Sequence, residues 1–328
     1  MNLFQLIDDI AKADPEVYDR FDSRRAVFRN FLGFGKKASA TALPLALSAL
    51  FGKAYGQTAG SGLSAAIVAT LNLALQLEYL EKYFYQTALN SPNLLNAAQR
   101  DAVAVILNDE NLHIAALRGL LKGDALADPG RAAFDFTGSQ NNQRAALYPT
   151  LGGAASPTTA LFSAAADFLL LGQQLEDTGV RAYKGGAASL LTQPDILEAA
   201  LNIHSVEARH AAHLRTLRRG GIKVVPQGLA KPKSWITPEE TPALPPLPNG
   251  ATNAPNAVGP YHAGTPAAAF PDEKNTTQGL AANPFNAQNL VPGISSTAAA
   301  EAFDEPLDAA TVKLLAKNFV ANPGALFN

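Results

Sequence analysis

The chain has 328 residues, enough for one large domain with extensions, and 47% of them are apolar against 16% charged, a globular balance and not a disordered one. A formal net charge of -2 leaves no electrostatic case for a nucleic-acid partner, and the absence of cysteine excludes disulfides, thiolate metal sites and cysteine nucleophiles together. Only five histidines are present, so their placement is informative.

Residues 1–57 admit two readings. Leu3, Phe4, Leu6, Ile7 and Ile10 follow helical spacing up to a break at Asp14-Pro15, which predicts helices packing on the main domain or on a neighbouring subunit. Asp22-Ser23-Arg24-Arg25, leading through Phe28, Phe31 and Lys36-Lys37 into the apolar run Ala38 to Phe51, resembles a twin-arginine export signal. That reading implies an exported, periplasmic protein, and the other a cytoplasmic one that keeps the segment. The run is too short for a membrane span and is broken by Pro44, so no transmembrane span is expected.

Four long helices are predicted over residues 62–89, 93–121, 157–184 and 194–219, within a domain at 58–222. Ser91-Pro92 and Ser156-Pro157 place a capping residue before a first-turn proline, and Gly123, Gly185-Gly186 and Gly220-Gly221 fall where helices should stop. Short turns join the first two helices and the last two, so each pair is expected to form an antiparallel hairpin. A longer connection over about 123–156, rich in Gly, Pro, Asn and Asp, serves as a crossover. Residues 223–296 change character. Thirteen of the 22 prolines lie between Pro226 and Pro292, a density that excludes helix and predicts an extended arm pinned to a surface by Trp235, Tyr261, Phe270 and Phe285. Helix returns at 297–320, in a C-terminal segment 297–328, with Leu307, Val312, Leu314, Leu315 and Phe319 on one face.

The two hairpins are copies of each other. At an offset of 98 residues, Leu71, Leu73, Gln76, Leu77, Glu78 and Tyr85 recur as Leu169, Leu171, Gln174, Leu175, Glu176 and Tyr183. At an offset of 97, Ile106, Glu110, His113, Leu117 and Arg118 recur as Ile203, Glu207, His210, Leu214 and Arg215. On the second helix Val103, Ile106, Leu107, Glu110, His113 and Leu117 share one helical stripe, so Glu110 and His113 interrupt an apolar core face; Glu207 and His210 do the same on the fourth. With Glu78 and Glu176, four carboxylates enter one bundle. Buried and unpaired, each would cost several kcal/mol, more than a domain tolerates. Two divalent cations between four glutamates and two neutral imidazoles balance the charge. One inward Glu on each of two helices, with Glu-x-x-His on the other two, is the ligand plan of di-iron and di-manganese carboxylate bundles.

On these motifs, over about residues 60–220, the chain resembles the ferritin-like superfamily. The recurring tyrosines Tyr85 and Tyr183, seven residues after each helical glutamate, fit the same resemblance. Glu273-Lys274-Asn275-Thr276-Thr277-Gln278 and Phe303-Asp304-Glu305-Pro306-Leu307 resemble the branch of bacterial ferritin-like domain proteins and plant desiccation-related proteins. The resemblance implies an all-α four-helix bundle of two repeated hairpins holding two metal ions per chain, iron or manganese. Its ligands are Glu78, Glu110, His113, Glu176, Glu207 and His210.

Tyr85 and Tyr183 are either donors to the ligand carboxylates or ordinary core aromatics. Glu81 is a rival to Glu78 on the first helix, but its counterpart is Gly179, so symmetry places it behind the ligands. His204 and His213 belong to the rim, His262 to a loop, and Asp109 and Asp177 to solvated positions. The leading functional expectation is a di-metal redox protein that oxidises ferrous iron or removes peroxide in stress protection, with dioxygen or peroxide as its small oxidant. The alternative is a structural protein whose metal site mainly stabilises the fold. The arm and the amino-terminal helices suggest a homo-oligomer in either case.

Overall fold

A computed structural model describes residues 61–153, 155–240, 259–279 and 283–328. The paired arginines, the amino-terminal helices and the Pro242 to Pro248 run therefore lie outside the described residues. Four long helices form the body: α1 (Ala65–Asn90), α2 (Ala97–Leu121), α3 (Ala165–Gly186) and α4 (Pro194–Arg219). The closest partners are α1 with α2 and α3 with α4, and the two hairpins meet through α1 on α3 and α2 on α4. The chain is an all-α four-helix bundle with a C-terminal extension. Among the described residues, no helix is long and apolar enough to cross a membrane.

The helix ends show which local signals decide. Ser64 caps α1 by accepting from the Ile67 amide. Ser91 does not cap the next helix; it closes α1, and Asn96 with Gln99 builds a reciprocal capping box at the start of α2. Gly220 ends α4 in the left-handed region at φ 96°, with the Gly220 and Gly221 amides bonded to Leu217 and Thr216 carbonyls. The third helix starts eight residues later than its proline suggests. The Phe162 amide is held by Ser91 Oγ and the Ser163 amide by the Thr150 carbonyl, which keeps this stretch out of helix while Phe162 enters the core. α3 stops at Gly186, where the glycine pair predicts, but it runs on through Ala187 into a 3-10 turn and not through a left-handed glycine. A Cβ on Gly185 would fall on the Leu307 carbonyl oxygen, so this glycine is set by close approach of the tail.

The extension wraps back over the bundle. It carries a two-residue antiparallel pair, β1 (Thr277–Gln278) with β2 (Phe285–Asn286), and two helices, α5 (Ser296–Ala300) and α6 (Ala309–Lys317). The single C-terminal helix of the sequence reading is thus broken across Phe303 to Pro306. Its anchor is Arg181, fully buried on α3. Arg181 donates to the carbonyls of Pro260, His262, Pro271, Glu305 and Pro306 and pairs with Glu273 at 2.8 Å. A second junction joins Arg215 and Asp177 at 2.7 and 2.5 Å, with Tyr261 donating to Asp177 and Glu240 accepting from Arg215. Asp177 is therefore buried and paired, not solvated. Of the four aromatics expected to pin the arm, Tyr261 is buried, Phe270 is half-buried, and Trp235 and Phe285 are largely exposed. Leu307, Val312, Leu315 and Phe319 bury against the bundle, while Leu314 faces solvent. Part of the described extension packs on its own chain, while Trp235, Phe285, Leu290 and Val291 stay exposed.

Gly185→Ala should push the Leu307 backbone off α3 and cost about 1–3 kcal/mol. Gly119→Ala, on an exposed helical position where a Cβ meets nothing within 4 Å, should be neutral or stabilise by up to ~1 kcal/mol. Thermal unfolding of both variants checks this, and equal melting temperatures would contradict the close approach.

Candidate metal centre

Each helix of the bundle delivers one glutamate to a pair of converging groups, and α2 and α4 add a histidine one turn later. Glu78, Glu110, Glu176 and Glu207 are completely buried, and His113 and His210 retain only 6% and 5% exposure. The (i, i+3) spacing puts each Glu and His of α2 and α4 on the same helix face.

The six side chains converge as two groups. Around His113 Nδ1 lie Glu78 Oε2 at 3.1 Å, Glu110 Oε2 at 3.1 Å and Glu207 Oε1 at 2.9 Å. Around His210 Nδ1 lie Glu110 Oε1 at 3.0 Å, Glu176 Oε2 at 3.3 Å and Glu207 Oε2 at 3.6 Å. Both groups have the compactness of a cation site. Glu110 and Glu207 each give one oxygen to either group, whereas Glu78 with His113, and Glu176 with His210, belong to one group only. Two shared carboxylates thus lie between two Glu–His pairs.

The donor chemistry fits cations. Glu110 Oε1, Glu176 Oε2, both oxygens of Glu207 and His210 Nδ1 are buried without a hydrogen-bond partner. Orphaned buried acceptors are costly, and several aimed at a common point describe a site for a positive ion. The outward oxygens are satisfied. Tyr183 donates to Glu78 Oε1 at 2.5 Å, and Tyr85 donates to Glu176 Oε1. Both tyrosines are thus donors to the carboxylates, the first of the two roles open in the sequence. Burial foremost, then the neighbouring carboxylates, raises both phenols well above their usual range, so they remain protonated.

Without a cation, protons carry the neutralising charge. Burial works against charge on His113, but Glu78 and Glu207, with hydrogen bonds to Glu110 and Glu207, together outweigh it and hold the imidazole far above its ordinary range; at His210, Glu176 with hydrogen bonds to Asp109, Glu110 and Glu176 does the same. Burial first, then repulsion from Glu207, drives Glu78 up, and burial likewise raises Glu176 against the opposing charge of His210. Burial is the largest single effect on Glu207 and raises it, but the His113 charge and the hydrogen bonds with His113, His210 and Glu176 together outweigh it, so Glu207 is depressed. Ligands bind a cation as carboxylates and neutral imidazoles, so metal loading should expel protons.

Glu81 joins neither group, although it is 2% exposed and buried beside them. Burial first, then four neighbouring carboxylates, pushes it well above its usual range. Gly179, its counterpart on α3, makes the room: a Cβ there would stand 3.5 Å from Glu81 Oε1 and 3.7 Å from Glu207 Cγ. His204 and His213 also join neither group, and His262 contributes only its carbonyl to Arg181. Asp109, set aside as solvated, is half-buried and lies 3.2 Å from His210 Nε2. A carboxylate on that nitrogen holds the ring so that Nδ1 faces inward. The only sequence signal for it is its place on the turn beside Glu110.

A profile of the ferritin-like domain family matches residues 67–219, the span of the four long helices. The bundle is a ferritin-like domain. No curated protein and no solved structure matches the chain. The ferritin-like domain carries buried acidic and histidine groups able to hold metal ions, all on helices within the matched span.

Sharing decides the mutational pattern. Glu110→Ala or Glu207→Ala should abolish loading at both positions, Glu78→Ala or Glu176→Ala should halve the metal content, and Glu81→Ala should leave it unchanged. Elemental analysis after reconstitution with manganese reads this directly. Full loading of the Glu110 variant would sink the shared-carboxylate arrangement.

Proposed function

We propose that the domain holds two ions of iron or manganese and works in redox chemistry with dioxygen or peroxide, oxidising ferrous iron or removing peroxide. One observation carries this reading: the two converging groups share Glu110 and Glu207, so both positions answer to the same pair of carboxylates. All six donors are oxygen or nitrogen, which suits iron and manganese and disfavours copper(I) or iron–sulfur clusters. Bound there, such ions supply electrons in one-electron steps and a Lewis-acidic contact for a small oxidant.

The protein's own residues do the rest. Complete burial of the glutamates keeps bulk water from the centre. Tyr183 and Tyr85 hold a proton on the outward oxygen of each terminal carboxylate, which fixes those side chains and leaves their other oxygens free. Asp109 orients His210. Glu81 keeps its own proton beside the cluster and adds no further charge to it. The second reading, a site that mainly staples the fold, draws support from the extension, whose anchors Arg181, Asp177 and Arg215 sit on the same two helices as Glu176 and Glu207.

Anaerobic reconstitution with ferrous iron followed by admission of oxygen separates the two. The redox reading expects oxygen consumption in proportion to protein, abolished in Glu110→Ala, and hydrogen peroxide consumed by the reduced protein. Metal removal that lowers the melting temperature, without oxygen or peroxide consumption by the loaded protein, would favour the staple. A divalent ion at a hundred times its dissociation constant should stabilise the fold by about 2.7 kcal/mol in either case.

A further inference from the structure

The repeat of the two hairpins is broken at one place by size alone. Phe84 on α1 and Phe168 on α3 stack at 5.1 Å beside Tyr85, and Phe136 and Phe162 from the crossover complete the cluster at 5.2 and 5.3 Å from Phe84. This aromatic plug fills the bundle on the Tyr85 side. At the same offset of 98 residues, Phe84 corresponds to Ala182, and Thr70 corresponds to Phe168. Both plug positions are therefore small on the Tyr183 side. There the bundle holds a cavity of about 220 Å³, lined by Thr70, Leu77, Ala182, Tyr183, Leu307 and Val312 among others.

The lining says what fits. Its walls are mostly aliphatic, and its polar groups are already engaged. Thr70 Oγ1 and Ser189 Oγ bond each other at 2.9 Å, and Lys313 Nζ donates to the Asn328 carbonyl at 2.6 Å. Asp308 accepts from the Thr265 amide and from the Thr311 amide and hydroxyl, and the Tyr183 hydroxyl is spent on Glu78. Most of the polar atoms of the lining are thus taken up within the protein, and the walls that remain are apolar. An apolar cavity of roughly 150 Å³ accommodates benzene, so this one has room for roughly ten non-hydrogen atoms. That is too little for a protein segment.

We propose that the cavity is a binding site for one small, uncharged, hydrocarbon-like molecule, held against the Tyr183 ring and hence one side chain from the Glu78–His113 group. Binding itself depends on the cavity alone. Its use as the substrate site of the centre rests on the redox reading above.

Full-length protein, metal-loaded and metal-free, is titrated with 1-octanol by calorimetry. Saturable binding of one molecule per chain is expected, with a raised melting temperature. Ala182→Phe, which restores the plug, should weaken it at least tenfold without changing the metal content. Thr70→Leu narrows the same cavity from its half-exposed edge and serves if Ala182→Phe fails to fold. In crystals of the wild-type protein, 8-bromo-1-octanol should place its chain beside Tyr183, located by the anomalous signal of bromine. No saturable binding to the wild type, or wild-type affinity in both variants, overturns the proposal. The two readings fail separately. Octanol binding that Ala182→Phe removes, in a protein that loads no metal, leaves the cavity standing and ends the metal reading. Metal loading without octanol binding does the reverse.

Discussion

Five carboxylates, those of Glu78, Glu81, Glu110, Glu176 and Glu207, are buried in one small volume, and the rest of the bundle is arranged around the need to neutralise them. Charge in a protein interior is tolerated only when it is paired, protonated or bound to a cation. Three devices are visible. Two imidazoles face the shared glutamates; two tyrosines cap the outward oxygens; and Glu81, surrounded by carboxylates, is pushed well above its usual range by burial first and then by those neighbours. Four helices have to stand at fixed rotation and height for these contacts to coexist, so this cluster sets the geometry of the fold as much as the apolar core does.

The pseudo-twofold extends beyond the metal residues. Gln174 accepts from Tyr148 of the crossover, and its counterpart Gln76 accepts from the Phe327 amide near the end of the chain. Arg118 donates to Tyr79, and its counterpart Arg215 donates to Asp177, which occupies the position equivalent to Tyr79. Each hairpin therefore uses the same side chain to hold a different covering segment. The departures are equally ordered. Glu81 stands opposite Gly179 because both halves cannot fill the same space, and the aromatic pair of one side is answered by Thr70 and Ala182 on the other.

Helical periodicity and the duplicated Glu-x-x-His made the bundle and its six converging side chains legible in the sequence, because a repeat marks positions where packing alone would not preserve a carboxylate. The remainder depends on contacts distant along the chain. Arg181 reads as an ordinary helix arginine, since its partners are backbone carbonyls from 79 to 125 residues away, and carbonyls leave no trace in sequence. Asp177 differs for a related reason: its neighbour Glu176 faces the cluster, so one residue on it points away from the bundle axis, and nothing in the sequence says that the surface-bound arm covers that face. Pro157 was a sound local signal for a helix start, overridden when Ser91 captured the Phe162 amide and the core took the ring.

These contacts explain why α3 is buried along nearly its whole length although it lies at the edge of a four-helix bundle. Glu176 and Tyr183, seven residues apart, share the inner face and answer to the acidic cluster. Asp177 and Arg181, four apart, share an outer face and answer to the extension. The two demands are separated by about 100° of helix rotation. A turn of α3 that relieved one would break the other, so inner and outer contacts oppose each other's displacement. A helix gripped in this way does not need strong intrinsic propensity, which is why it tolerates Gly172, Gly179, Gly185 and Gly186. Gly172 and Gly185 then serve close approach, to Phe84 and to Leu307, and Gly179 lies beside Glu81. The glycines that look like weak points in the sequence are the places where α3 meets the aromatic plug, the acidic cluster and the tail.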